Sequence, residues 1–140
     1  MNASLIFVPF AGMLVLTALV WIWMFRERIG AMRRLGIEIQ TREDLEKLGP
    51  RAIHSSANFQ NLFEVPVVFY ACVLALHATG LVDALHVACA FGFLVFRVAH
   101  SIIHCTYNHV MQRFTVYAIA ALFLWVMVAR FTVAIVGAAL

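Results

Sequence analysis

Four long apolar stretches constrain this chain more than any other feature. No charged residue occurs between Ser4 and Phe25, and residues 62–79, 81–104 and 114–138 are each interrupted by only one or two charges. A helix rises about 1.5 Å per residue, so about 20 apolar residues cross the hydrocarbon core of a bilayer. A chain of 140 residues has room for four such spans joined by short connections. The strict apolar/polar alternation of a membrane barrel is absent. Composition agrees: 64% of residues are hydrophobic, with only ten Lys plus Arg and seven Asp plus Glu, and the mean hydropathy is +0.94. These values exclude a soluble domain, a disordered chain and a nucleic-acid binder. The expected fold is all-α, a transmembrane four-helix bundle forming one domain over residues 1–140. Its spans cover about 4–25, 62–79, 81–104 and 114–138, with a connection at 26–50.

Charge sets the expected topology. Seven of the ten basic residues, Arg26, Arg28, Arg33, Arg34, Arg42, Lys47 and Arg51, lie in one stretch that covers the first connection, interleaved with Glu27, Glu38, Glu43, Asp44 and Glu46. An excess of Arg and Lys retains a loop in the cytoplasm, which places both termini and the Thr79–Asp83 turn outside. Gly49-Pro50 closes a short helix and opens the next, which is expected to run from Pro50 to Thr79 with a kink at Pro66. A third helix is expected from Leu81 to Tyr107, with Asp83 in its first turn, and a fourth from Phe114 to Ala139. Cys72, Cys89 and Cys105 are odd in number and form no CxxC pair, so they read as free thiols rather than a disulfide framework or a zinc site.

Ionisable residues inside a span are costly and normally face a bundle interior. If the second and third helices form an antiparallel hairpin about Gly80 and Leu81, Glu64 lies level with Arg97, and Asn61 with His100. The turn near Asn108 then brings Arg113 level with His104, and Tyr117 with His100. One layer near the cytoplasmic side thus collects Asn61, Glu64, Arg97, His100, His104, Arg113 and Tyr117. Helical spacing supports it: Arg97, His100 and His104 stand at i, i+3 and i+7, and Asn61 and Glu64 at i and i+3. The simplest reading of Glu64 and Arg97 is a mutual ionic brace. Arg113 and Tyr117 lie outside that brace and would suit an anionic or thiolate ligand.

These residues carry a resemblance. Asn61-Leu62-Phe63-Glu64-Val65-Pro66 resembles the Asn-x-x-Glu signature followed by Pro on the second helix of the MAPEG family, the membrane-associated proteins of eicosanoid and glutathione metabolism. Arg97-Val98-Ala99-His100 resembles the Arg-x-x-His stretch of its third helix, and Arg113 and Tyr117 match an Arg and Tyr at the start of its fourth. The resemblance spans essentially the whole chain and is to a bacterial-type member. It implies a homotrimer in a bacterial inner membrane, with glutathione as cosubstrate held between subunits by Asn61, Glu64, Arg97, His100 and His104. It also implies a transferase or peroxidase acting on lipophilic electrophiles, with Arg113 and Tyr117 as the catalytic pair. A guanidinium lowers the pKa of a nearby thiol, and the thiolate is the nucleophile. The sequence departs from the family at Ala57 and Gln60, where many transferase members carry Arg, and at His104, where a Tyr is common. Those departures motivate the alternative of a non-catalytic member that binds a lipid or a partner.

The other polar residues have plainer readings. His100 and His104 could share a metal, but one helix presents too few ligands to enclose an ion. His77 reads as an interfacial histidine before a haem ligand, and Trp21 and Trp23 as interfacial anchors.

Overall fold

The computed structural model describes residues 2–139, all of them in helices and short connections; the end residues Met1 and Leu140, whose side of the membrane the charge argument assigns, lie outside the described residues. A short 3-10 turn, Ala3–Ile6, leads into α1, Phe7–Leu35. The helix does not stop with its apolar run at Phe25 but continues through the basic stretch to Gly36, whose φ of 63° ends it. Charge sets where a helix leaves the membrane, whereas a left-handed residue sets where it ends. Arg33 and Arg34 occupy the last turn, where cations complement the helix dipole.

α2, Arg42–Lys47, is closed at its N-terminus by a capping box in which Thr41 and Asp44 exchange side-chain-to-backbone bonds. The Asp44 carboxyl is held well below the usual carboxylate range, first by Lys47 and then by Thr41. Gly49, at φ 90°, separates α2 from α3, Pro50–Asn61.

The expected single helix from Pro50 to Thr79 is two helices. α3 stops at Asn61 and α4 begins at Val65, with Glu64 between them at φ −99° and ψ −104°. Pro66 has no amide hydrogen to offer the carbonyl of Leu62, and its ring crowds that turn. The chain answers by tightening earlier, with the Phe63 amide on the Gln60 carbonyl at 2.9 Å. The break therefore falls before Pro66, at the residues of the polar layer.

α4, Val65–Ala78, ends in a Schellman turn at Gly80 (φ 70°), with Leu81 N on Leu76 O at 3.0 Å and Gly80 N on His77 O at 3.2 Å. Residues 81–83 complete that turn, so α5 starts at Ala84 rather than Leu81 and runs to Cys105. Asp83 caps it, accepting from the His86 amide at 2.9 Å. Asn108, at φ 48°, reverses the chain into α6, Val110–Ala139, which starts a turn before Phe114.

Four helical segments, Ala3–Leu35, Pro50–Ala78, Ala84–Cys105 and Val110–Ala138, are long and apolar enough to cross a membrane. The core lies where α1, α4, α5 and α6 meet, around Met13, Leu16, Phe69, Leu76, Phe93, Leu124 and Met127. Phe69 and Phe93 stack with centroids 4.5 Å apart. α5 packs tightly on α6 at Gly92, where a Cβ would stand 2.9 Å from three ring atoms of Phe123. At the far end from α2, Arg130 of α6 pairs with Asp83, so the single charge of the fourth span is compensated across the bundle. The His86 amide, and then Arg130, hold the Asp83 carboxyl below its usual range against the opposing effect of burial. His77 packs edge-on against Phe7, with ring centroids 4.6 Å apart.

Candidate functional site

The polar layer forms where the break between α3 and α4 faces the middle of α5. On α5, Arg97, His100, Ser101 and His104 stand at i, i+3, i+4 and i+7, and all four are buried. On α3, His54, Asn58 and Asn61 repeat at i, i+4 and i+7, so one face of each helix presents polar groups to the other.

Arg97 lies at the centre with no exposed surface. Its Nη2 donates to the carbonyl of Asn61 at 3.2 Å, a carbonyl in the last turn of α3, where helical partners run out. Its guanidinium carbon sits 5.8 Å from the centroid of the Tyr117 ring, within cation–π range.

The expected Glu64–Arg97 brace is not present as an ion pair. The ion pairs among the described residues are Lys47–Asp44, His86–Asp83 and Arg130–Asp83. Glu64 instead accepts from the Asn61 side-chain amide at 3.1 Å. Asn61 therefore joins the two charges, with its side chain on the carboxylate and its carbonyl on the guanidinium. The correction has the same cause as the helix break: once α3 ends at Asn61, Glu64 leaves the helical face it would have shared with Asn61 and is exposed.

His100 Nδ1 lies 3.3 Å from the carbonyl of Arg113. That bond puts the imidazole proton on Nδ1 and leaves Nε2 as an acceptor. The His100 ring contacts Tyr117 at 5.6 Å and His104 at 5.4 Å between centroids, and His104 faces His54 at 6.4 Å. The Arg113 guanidinium donates through Nη1 to Asn108 Oδ1 at 2.6 Å. Its partner is neutral, so its positive charge is held in place without being compensated.

The structure thus brings Asn61, Glu64, Arg97, His100, His104 and Tyr117 into one layer, with Arg113 joined to it through its backbone. It adds four residues the hairpin register does not single out. Asn58, fully buried, donates to Cys105 Sγ at 3.3 Å and accepts from Ser101 Oγ at 3.4 Å, and His54 packs on His104. The signal was available, because His54 and Asn58 extend the helical spacing that carries Asn61.

Seven buried side-chain atoms lack a hydrogen-bond partner among the described residues, and five belong to this layer: Asn61 Oδ1, Arg97 Nε, Arg97 Nη1, His100 Nε2 and His104 Nδ1. Buried polar groups are normally paired, and orphans gathered in one place mark a binding site better than isolated ones do. The set holds both donors and acceptors around a fixed positive charge, which suits an anionic ligand that also carries amide groups. Among the described residues, no three His, Cys, Asp or Glu side chains come together in a group able to hold a metal ion. Cys72, Cys89 and Cys105 are free thiols.

No curated protein and no solved structure matches this chain. The family model described as the MAPEG family matches residues 6–133, nearly its full length and all of the polar layer. With four helical segments able to cross a bilayer, this is an integral membrane protein, and the chain belongs to the MAPEG family.

Proposed function

We propose that this protein is a membrane-bound glutathione-dependent transferase or peroxidase acting on lipophilic electrophiles. The observation that carries the reading is the set of five unpartnered buried atoms around Arg97. Glutathione offers what they lack: carboxylates for the Arg97 nitrogens, amide hydrogens for Asn61 Oδ1 and the imidazole acceptor, and carbonyls for donors. Membership of a family associated with glutathione metabolism supports the same ligand.

In this reading Asn61, Glu64, Arg97, His100 and His104 hold the tripeptide, while Arg113 and Tyr117 act on its sulfur. Arg113 exchanges its neutral partner Asn108 for the thiolate, lowering the thiol pKa, and Tyr117 donates a hydrogen bond from one helical turn further along the same face. The thiolate sulfur then bonds to the electrophilic carbon and the displaced group, or an opened epoxide oxygen, carries the electron pair away. With a hydroperoxide, the thiolate attacks the terminal peroxide oxygen, the O–O bond breaks and the alkoxide leaves as an alcohol after protonation; the glutathione sulfenic acid so formed condenses with a second glutathione to give the disulfide and water. The protein works as a homotrimer in a bacterial inner membrane, with the α2 end of the bundle in the cytoplasm, where glutathione is dissolved.

Calorimetry of glutathione binding to the detergent-purified protein, joined to ultraviolet difference spectra of the bound thiolate, tests this reading. The Arg113→Leu variant is expected to bind glutathione but to lose the thiolate band and turnover, whereas Arg130→Leu retains both. Absence of glutathione binding to the wild type would overturn the reading. An unchanged thiolate signal in Arg113→Leu would remove that residue from the mechanism.

A second reading rests on Ala57 and Gln60, uncharged where many transferase members carry Arg. It has a non-catalytic protein that binds a lipid or a partner, and it predicts no turnover with any thiol.

A further inference from the structure

A second polar feature lies apart from the site described above, at the end of the bundle that carries α2. Three elements converge there on a cleft lined by Arg34 from the last turn of α1, Gly49, Arg51 and His54 from the start of α3, and Thr106 and Tyr107 from the α5–α6 turn. Its charge is of one sign. No carboxylate lines it, and neither Arg34 nor Arg51 enters any of the ion pairs among the described residues. Both are exposed. Gly49 has no side chain to cap α3, so the first amides of that helix add positive potential to the same cleft. A Cβ at Gly49 would meet nothing within 4 Å, so the entrance is open.

Position says what kind of anion fits. α5 ends at Cys105 and α6 begins at Val110, and α1 reaches Arg34 only after leaving its apolar run at Phe25, which places the cleft on the headgroup side of the apolar spans. Tyr107, 63% exposed, stands beside it as aromatic side chains do at that boundary. Leu35, Val110 and Met111 are all more than half exposed and follow or precede the cleft residues in the chain. One ligand class needs a phosphate at the cations and acyl chains against these apolar neighbours.

We propose that this cleft holds the headgroup phosphate of an anionic phospholipid. Arg34 and Arg51 receive the phosphate from two sides, a geometry that suits planar guanidinium groups. Basic pockets between transmembrane helices are a recurrent way of recognising such headgroups. The cleft meets the polar layer at His54, which lines the cleft and packs on His104, but it shares no residue with Asn61, Arg97, Arg113 and Tyr117.

The test is thermal unfolding and native mass spectrometry of the full chain in a neutral detergent, titrated with phosphatidylglycerol, phosphatidylcholine, inorganic phosphate or glutathione. Phosphatidylglycerol is expected to raise the melting temperature and remain bound in the spectrometer, with phosphatidylcholine doing neither. Arg34→Gln combined with Arg51→Gln should lower phosphatidylglycerol affinity about thirtyfold and leave glutathione binding unchanged. Arg51→Lys, which keeps the charge but loses the fork, should fall between. Arg33→Gln, also in the last turn of α1 but outside the cleft, should bind as the wild type does. Equal effects of the two lipids, undiminished binding in the double variant, or an equal loss in Arg33→Gln would overturn the proposal. So would inorganic phosphate matching the lipid, or glutathione displacing it.

Discussion

Arg97 shows how a single residue couples stability to function. A buried guanidinium needs partners for its hydrogens, and here one nitrogen reaches the Asn61 carbonyl while Nε and Nη1 have none. Each unpaired buried donor costs on the order of 1–3 kcal/mol, so Arg97 is held at the expense of the fold. Arg97→Met fills similar volume without the unmet hydrogens, and it is expected to leave thermal stability in detergent unchanged or raised while glutathione binding is lost. A variant that unfolds at a markedly lower temperature would show instead that Arg97 is structural. Glu64 plays a different part. It is exposed and bonded to Asn61 rather than to Arg97, so the carboxylate positions the asparagine that faces the guanidinium.

At the scale of helices, the bundle depends on where two backbones can approach. Gly92 of α5 lies over the ring of Phe123 in α6, and a Cβ there would stand 2.9 Å from three ring atoms. Gly12 of α1 looks equally tight at 2.6 Å, but its neighbour is Cδ2 of Leu94, the free end of a side chain that can turn away. Gly12→Ala should therefore be close to neutral, because the gain in helix propensity offsets a small rearrangement. Gly92→Ala should cost about 1–3 kcal/mol, since the Phe123 ring is stacked on Phe96 with centroids 5.9 Å apart and must shift as a whole. Equal melting temperatures for the two variants would count against this packing. The helices themselves were legible in the sequence because long uncharged runs and the punctuation at Gly49 and Gly80 state them directly, whereas the extension of α1 to Gly36 was not read there. The break at Glu64 was only half legible. Pro66 announces a disturbance, but whether a proline bends a helix or ends it depends on what the preceding turn can bond to, and here Asn61, Glu64 and Arg97 take that role. The polar layer could be read from helical spacing for Arg97, His100 and His104. Its wiring could not, because contacts such as His100 with the Arg113 carbonyl, or Arg130 with Asp83, depend on side-chain reach between helices rather than on spacing within one.

At the scale of the whole molecule, one exposed face of α4 carries a charge as well as apolar residues. On α4, Val67 and Leu74 are exposed and share a face with Ala71, and Glu64 lies at the head of that face, also exposed. A carboxylate facing lipid inside a span costs about 2.5–3.5 kcal/mol, and among the described residues the Glu64 carboxylate has only one hydrogen bond, from Asn61, with which to offset it. Placing this face against the same helix of neighbouring copies removes Glu64 from lipid, buries Val67 and Leu74, and sets the open edge of the polar layer next to another protomer. A closed ring of copies does this for every subunit at once. The homotrimer proposed above is such a ring, with α4 expected nearest its axis. Oxidation of Leu74→Cys and of Val67→Cys in native membranes should yield covalent dimers, and the double variant should carry the ladder to a trimer and no further. Native mass spectrometry in mild detergent should give the same limit. Monomers alone by both methods would mean that lipid covers this face, and the unpaired donors of Arg97 would then have to be met within one chain.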